Sequence, residues 1–201
     1  MIKIYKYGEV ENSEIFSRMA DTVDVSDIVT DIIENVKANG DKALYEYCLK
    51  FDKAELTSLE VTPEEIEEAF NTVDPEFLRI LRTAEKNIRG FHEKQVRNSF
   101  IINEKNGVVT GQKITPIEKV GLYVPGGTAA YPSTVLMDSV PAKIAGCKEI
   151  SMVTPPSKDG KVNPVILTAA KIAGVDRIFK VGGAQAVAAL AYGTETVPKV
   201  D

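Results

Sequence analysis

The residues best placed for chemistry are Tyr123, the pairs Gly126-Gly127 and Gly182-Gly183, and Gln185. Each ends or follows a short apolar run that reads as a strand, 120–124 before the first pair and 177–181 before the second. Glycine lets a backbone approach a ligand closely, and a helix starting just beyond offers unpaired N–H groups to an anion such as a pyrophosphate. Tyr123 would present an aromatic face with a hydroxyl, and Gln185 an amide that both donates and accepts. The chemistry this pattern predicts is the binding of a phosphate-bearing ligand. A plainer reading stands beside it: glycine pairs after strands make tight turns, and tyrosine packs well in strands. Neither pair fits GxGxxG, and the strand at 149–154, which meets Pro155-Pro156, ends without the acidic residue expected to hold a ribose.

Other reactive types are few. The single histidine, His92, has no partner base or ligand in sight and reads as structural or exposed. Cys147 follows Gly146 at the amino end of a strand, away from the expected ligand edge, and Cys48 stands alone; both read as reduced thiols rather than nucleophiles or a disulfide. Glu64, Glu65, Glu67 and Glu68 read as the solvated amino-terminal face of a helix. With so few His and Cys, the chain supplies no metal site of its own.

The elements that must position these residues fall into two parts. Up to about residue 95 the pattern is helical. Ser26 caps a helix with Ile28, Val29, Ile32, Ile33 and Val36 on one face, and Gly40 closes it. A second begins at Asp41 with Ala43, Leu44, Tyr47 and Cys48 inward. Thr62-Pro63-Glu64-Glu65 is a capping box for a helix reaching about Phe70. Asp74-Pro75 starts a longer one with Phe77, Leu81, Ala84, Ile88 and Phe91 inward. An antiparallel hairpin is predicted over 99–114, with a polar turn at 103–107. From residue 119, strands at 120–124, 149–154 and 177–181 alternate with helices ending at Gly146, Gly174 and about Tyr192. Apolar rather than alternating strands predict a parallel sheet covered on both faces. Pro141 places the start of the first of these helices at Asp138, so that proline falls in its first turn. The expected class is α/β: a helical part with a hairpin over 1–118, then an incomplete Rossmann-like parallel sheet over 119–201.

Composition narrows the function. Hydrophobic residues at 44% and charged residues at 26% are ordinary globular values. A net charge of -5 without a basic stripe argues against nucleic acid as partner. The longest apolar stretch, 182–192, falls short of the roughly 20 residues that span a bilayer. Residues 1–20 are charged throughout, without a signal peptide's apolar core, so a cytoplasmic location is expected.

Taken together, Val120-Gly-Leu-Tyr-Val-Pro-Gly-Gly127, Ala129-Ala-Tyr-Pro-Ser-Thr-Val-Leu-Met137 and Pro141-Ala-Lys-Ile-Ala-Gly146 resemble histidinol dehydrogenases. So do Met152-Val-Thr-Pro-Pro156, Ala169-Ala-Lys-Ile-Ala-Gly-Val175 and the run from Lys180 to Asp201, with earlier echoes at Gly40-Asp41, Ala43-Leu44, Phe51-Asp52, Asn87-Ile88 and Phe91-His92. The resemblance implies a zinc-dependent homodimer that oxidises L-histidinol through the aldehyde to L-histidine, passing two hydrides to NAD. It also implies that Tyr123 and Gln185 contact NAD. The family's Gly-Pro-Gly-Asn loop, zinc ligands and Glu-His acid–base pair have no counterpart in these residues. The expectation is thus an amino-terminal half, inactive alone and prone to associate through an unpaired sheet edge. Two alternatives remain open: an aldehyde-dehydrogenase-like enzyme, which needs a cysteine on the ligand edge, and a non-catalytic nucleotide- or partner-binding module.

Overall fold

The computed structural model describes residues 4–16, 24–126 and 130–201. The short helix α1 (Asn12–Phe16) precedes α2 (Ser26–Tyr47), a π-helical turn (Cys48–Asp52), α3 (Pro63–Thr72) and α4 (Pro75–His92). A hairpin of β1 (Phe100–Asn103) and β2 (Val109–Gln112) follows. Then come β3 (Lys119–Tyr123), α5 (Pro132–Ala145), β4 (Glu149–Thr154), α6 (Pro164–Ala173), β5 (Arg177–Lys180) and α7 (Gly183–Tyr192). The α/β class, with a parallel sheet after helices and a hairpin, is the expected one.

Several local signals act as anticipated. Thr62 Oγ1 accepts the Glu65 N–H at 3.3 Å while Glu65 Oε2 accepts the Thr62 N–H at 2.8 Å, a reciprocal capping box. Asp74 Oδ1 accepts the N–H groups of Glu76 and Phe77, so α4 starts where Asp74-Pro75 predicts. Gly40 breaks α2 with φ +51 and ψ −132, and Ala43, Leu44, Tyr47 and Cys48 beyond it are buried. A side chain at Gly40 would collide with the Glu195 carboxylate, whose Oε2 accepts the Asp41 N–H at 2.8 Å.

Five expectations need correction. Ser26 does not cap α2; Val25 holds that position, and the Ser26 N–H is spent on Asp24 Oδ1. Ile28, on that helix's predicted apolar face, is exposed. Helix α5 starts at Pro132, not Asp138, so Pro141 sits in its interior. Val135, Leu136, Ser139 and Val140 are all buried, and that continuous face holds the helix together through the missing hydrogen bond. Phe91 is exposed rather than inward, its ring edge-on to His92. The α3 carboxylates are not merely solvated. Glu65 Oε1 takes the buried Lys180 ammonium at 2.6 Å, and Glu67 and Glu68 pair with Lys171 and Lys161.

The parallel sheet runs in the order β3-β4-β5. Successive side chains point to opposite faces, and each face meets its own core. Val153 and Phe179 face α2 and α7, while Met152 and Ile178 face the α3–α6 side. Both cores draw on residues before and after residue 118, since Leu44 joins the first and Leu81 the second. Covering both faces is why the strand sequences read as apolar runs. One outer edge is covered, and the other is touched only at its start. Residues 59–61 run antiparallel along β5, with Lys180 N–H donating to Leu59 O at 2.7 Å and Val61 N–H to Ile178 O at 2.9 Å. On the far side of β3, Asp201 N–H donates to Lys119 O and Asp201 Oδ2 accepts the Lys119 N–H, both at 3.0 Å. The chain has thus moved outward from β3 to β5 and come back to the other flank of β3. Along the rest of β3 no strand is paired on that side among the described residues, and further open surface lies on the hairpin, where every residue of β1 and β2 is exposed.

Candidate functional site

Ligands of open parallel sheets bind beyond the carboxyl ends of the strands. Tyr123 closes β3 there and is 39% exposed. Its hydroxyl accepts the N–H of Gly183, the first residue of α7, at 3.1 Å. Gly183 has φ +68, and a Cβ on it would come within 2.7 Å of Gln185 Oε1. The left-handed conformation favours glycine at 183, and a Cβ there would also displace the Gln185 amide. Gln185, 2% exposed, folds its amide back into that space. Tyr123 and Gln185 thus meet around one glycine, and one of the leading N–H groups of α7 already has a partner.

Pro155 explains the other glycines. It is wedged between the ends of β3 and β5, where a Cβ on Gly182 would lie 2.7 Å from Pro155 Cβ and one on Gly126 would strike Pro155 Cγ. Gly126 and Gly182 are thus required first by the protein's own packing; Gly127 lies outside the described residues.

Beside Pro155 a cavity of about 350 Å³ opens over the end of β4, lined by Gly126, Thr154, Pro155, Lys158, Ile166 and Asp52 among others. This volume sits at the low end of the roughly 300–1,000 Å³ common for small-molecule sites. Asn163 Oδ1 caps α6 on its floor by accepting the Val165 N–H at 2.9 Å. Asp52 comes from outside the sheet, at the end of the π-helical turn, and Lys53 leaves that turn in the left-handed region at φ 59. Among the described residues Asp52 Oδ2 has neither solvent access nor a hydrogen-bond partner, and burial pushes the carboxyl pKa up. Sequence reasoning did not single out Asp52 for chemistry, although Phe51-Asp52 is part of the resemblance. A helical pattern gives no sign that its last turn widens and aims a carboxylate at a strand end.

The remaining candidates lie elsewhere. Cys48 Sγ donates to Lys180 O at 3.4 Å; burial, and then the nearby Asp52 charge, push its thiol up to about 12, so it stays protonated and inert. Cys147 lies beside the amino end of β4, opposite the cavity. His92 Nδ1 is 2.6 Å from Gln95 Oε1 and lines a separate cavity with Pro116, Pro141 and Ile144. No group of three or more His, Cys, Asp or Glu converges among the described residues. The described residues therefore do not fit the zinc that the resemblance implies.

A family model described as "Histidinol dehydrogenase" matches residues 16–201. Histidinol dehydrogenase of Clostridium acetobutylicum is 53% identical over 206 aligned positions, covering 100% of this chain and 48% of that protein. That of Methanocaldococcus jannaschii is 50% identical, covering 99% of this chain and 47% of the relative. The crystal structure of histidinol dehydrogenase from Elizabethkingia anophelis superimposes with a TM-score of 0.87 at 43% identity, covering 91% of this chain and 42% of that one. The chain spans about half the length of the curated relatives it matches.

Proposed function

The chain belongs to the histidinol dehydrogenase family, and from that premise we propose that it carries the NAD-contacting part of an enzyme oxidising L-histidinol through the aldehyde to L-histidine. The observation that supports this most is the meeting of Tyr123, Gly183 and Gln185 at the carboxyl end of the sheet, beside the cavity over β4. NAD, when bound, supplies the hydride acceptor. The residues here bind and orient it. Tyr123 offers a ring face and a hydroxyl already fixed by the Gly183 N–H, and Gln185 an amide held by burial. The fit is partial, since the cavity matches a nucleoside better than a whole dinucleotide.

Alcohol oxidation also needs a base for the hydroxyl proton and a charge to hold the developing alkoxide. No residue described near the cavity combines these roles, so the proposal assigns binding and orientation to this chain. Zinc, homodimer formation and a cytoplasmic location belong in this proposal to the whole enzyme, and the division into 1–118 and 119–201 is one of sequence pattern, since both cores cross it. Calorimetric titration of the 201-residue chain with NAD should show saturable binding, and histidinol, zinc and NAD together should give no NADH absorbance. Absence of NAD binding would remove the reading's foothold in these residues, and NADH production would show that the assignment of roles is wrong.

A further inference from the structure

Strand β4 is the second strand of the parallel unit, and in dinucleotide-binding sheets an acidic residue near the end of that strand holds the adenosine ribose. Here β4 ends in Thr154-Pro155-Pro156 and has no such residue. A carboxylate reaches the same cavity by another route: Asp52, delivered by the π-helical turn and the left-handed Lys53. π-Helical turns and left-handed non-glycine residues concentrate at functional sites because the chain does not adopt them without cause. Asp52 lines this cavity beside Thr154 and Pro155, so its carboxylate stands where it can accept from a hydroxyl of a ligand seated there.

We propose that Asp52 accepts the adenosine-ribose hydroxyls of the dinucleotide and thereby selects NAD over NADP, an inference that rests on the NAD reading above. The cavity's size suits a nucleoside, and Pro155, Pro156 and Ile166 supply flat or apolar walls for a base. A 2′-phosphate removes the donor hydroxyl and adds negative charge beside the carboxylate, so both effects disfavour NADP. Lys158 lines the same cavity and would attract a phosphate, but it is exposed, so solvent screens its charge more than that of Asp52.

The test titrates the full chain with NAD, NADP and 2′-deoxyadenosine-NAD by calorimetry, then repeats the series on Asp52→Asn. The unmodified chain should bind NAD about ten- to a hundredfold more tightly than either analogue, the range expected for hydrogen bonds to a charged group. In Asp52→Asn, NAD should weaken by a similar factor and the NAD-to-NADP ratio should fall towards one. Folding of the variant is checked by circular dichroism, and the 2′-deoxy comparison needs no variant at all. Tight NAD binding with equal affinity for the 2′-deoxy analogue, or an unchanged ratio in a folded Asp52→Asn, would overturn the role of Asp52 alone. Failure of the unmodified chain to bind NAD would bring down the dinucleotide reading and this inference with it.

Discussion

Strands β4 and β5 and the β1–β2 hairpin use similar residues to opposite effect. Ile150, Met152, Val153, Ile178 and Phe179 are all buried, whereas Phe100 and Ile102 are 50% exposed and Ile101 74%. Composition does not separate the two regions; coverage does. The parallel strands have helices on both faces and a chain segment along the outer edge of β5, while the hairpin pairs only with itself. Apolar strand residues therefore report that a surface is to be covered, and leave open what covers it.

The sharpest way to break this contrast is a pair of truncations. Phe179→Ala should lower the unfolding free energy by about 3–5 kcal/mol, as large-to-small changes in a closed core do, while Phe100→Ala should stay within about 0.5 kcal/mol. Urea unfolding of both variants measures the difference; equal losses would mean that the hairpin is packed in solution. A smaller effect is expected at the polar lock on the covered side. Asp41 accepts from the Thr194 hydroxyl, the Thr196 N–H and the Thr196 hydroxyl, tying the second half of α2 to the segment after α7. Asp41→Ala should cost about 2 kcal/mol by leaving those donors short of a partner, and Asp41→Asn should recover part of the loss.

The smallest effect concerns the site itself, through pH. Burial holds the folded pKa of Asp52 above its ordinary 3.8, so the folded chain binds more protons than the unfolded one between 3.8 and that raised value. Stability consequently falls as pH rises through this window, and the whole cost is present above it. Without ligand, Asp52→Asn should melt at a higher temperature than the parent near neutral pH, and the gap should close as pH drops below about 4, the ordinary range of an unperturbed aspartate. A gap that widened in acid would reverse the assigned cause.

Much of the architecture was legible because its signals are local. The Thr62–Glu65 box, the Asp74 cap, the break at Gly40 and the three apolar strands depend on neighbours within a few positions. Pro141 misled because a long buried face outweighed one missing hydrogen bond. Phe91 and Ile28 misled because a helical stripe can run past the surface available to cover it. At the site, Tyr123 and Gln185 stood out from their places at element ends, whereas Asp52 did not, being far from Pro155 along the chain and adjacent to it only around the cavity.

The amino-acid sequence by itself determined the order of the elements, the parallel character of the sheet and the residues that end its strands. Helix periods, caps and apolar runs are set by contacts between near neighbours and need no knowledge of the rest of the molecule. Tertiary structure alone decided that Gly126 and Gly182 make room for Pro155, that Gly183 gathers Tyr123 and Gln185, and that a carboxylate from an early helical turn faces the end of β4. Such meetings join positions distant in sequence, and they exist only once packing has fixed the distance between them.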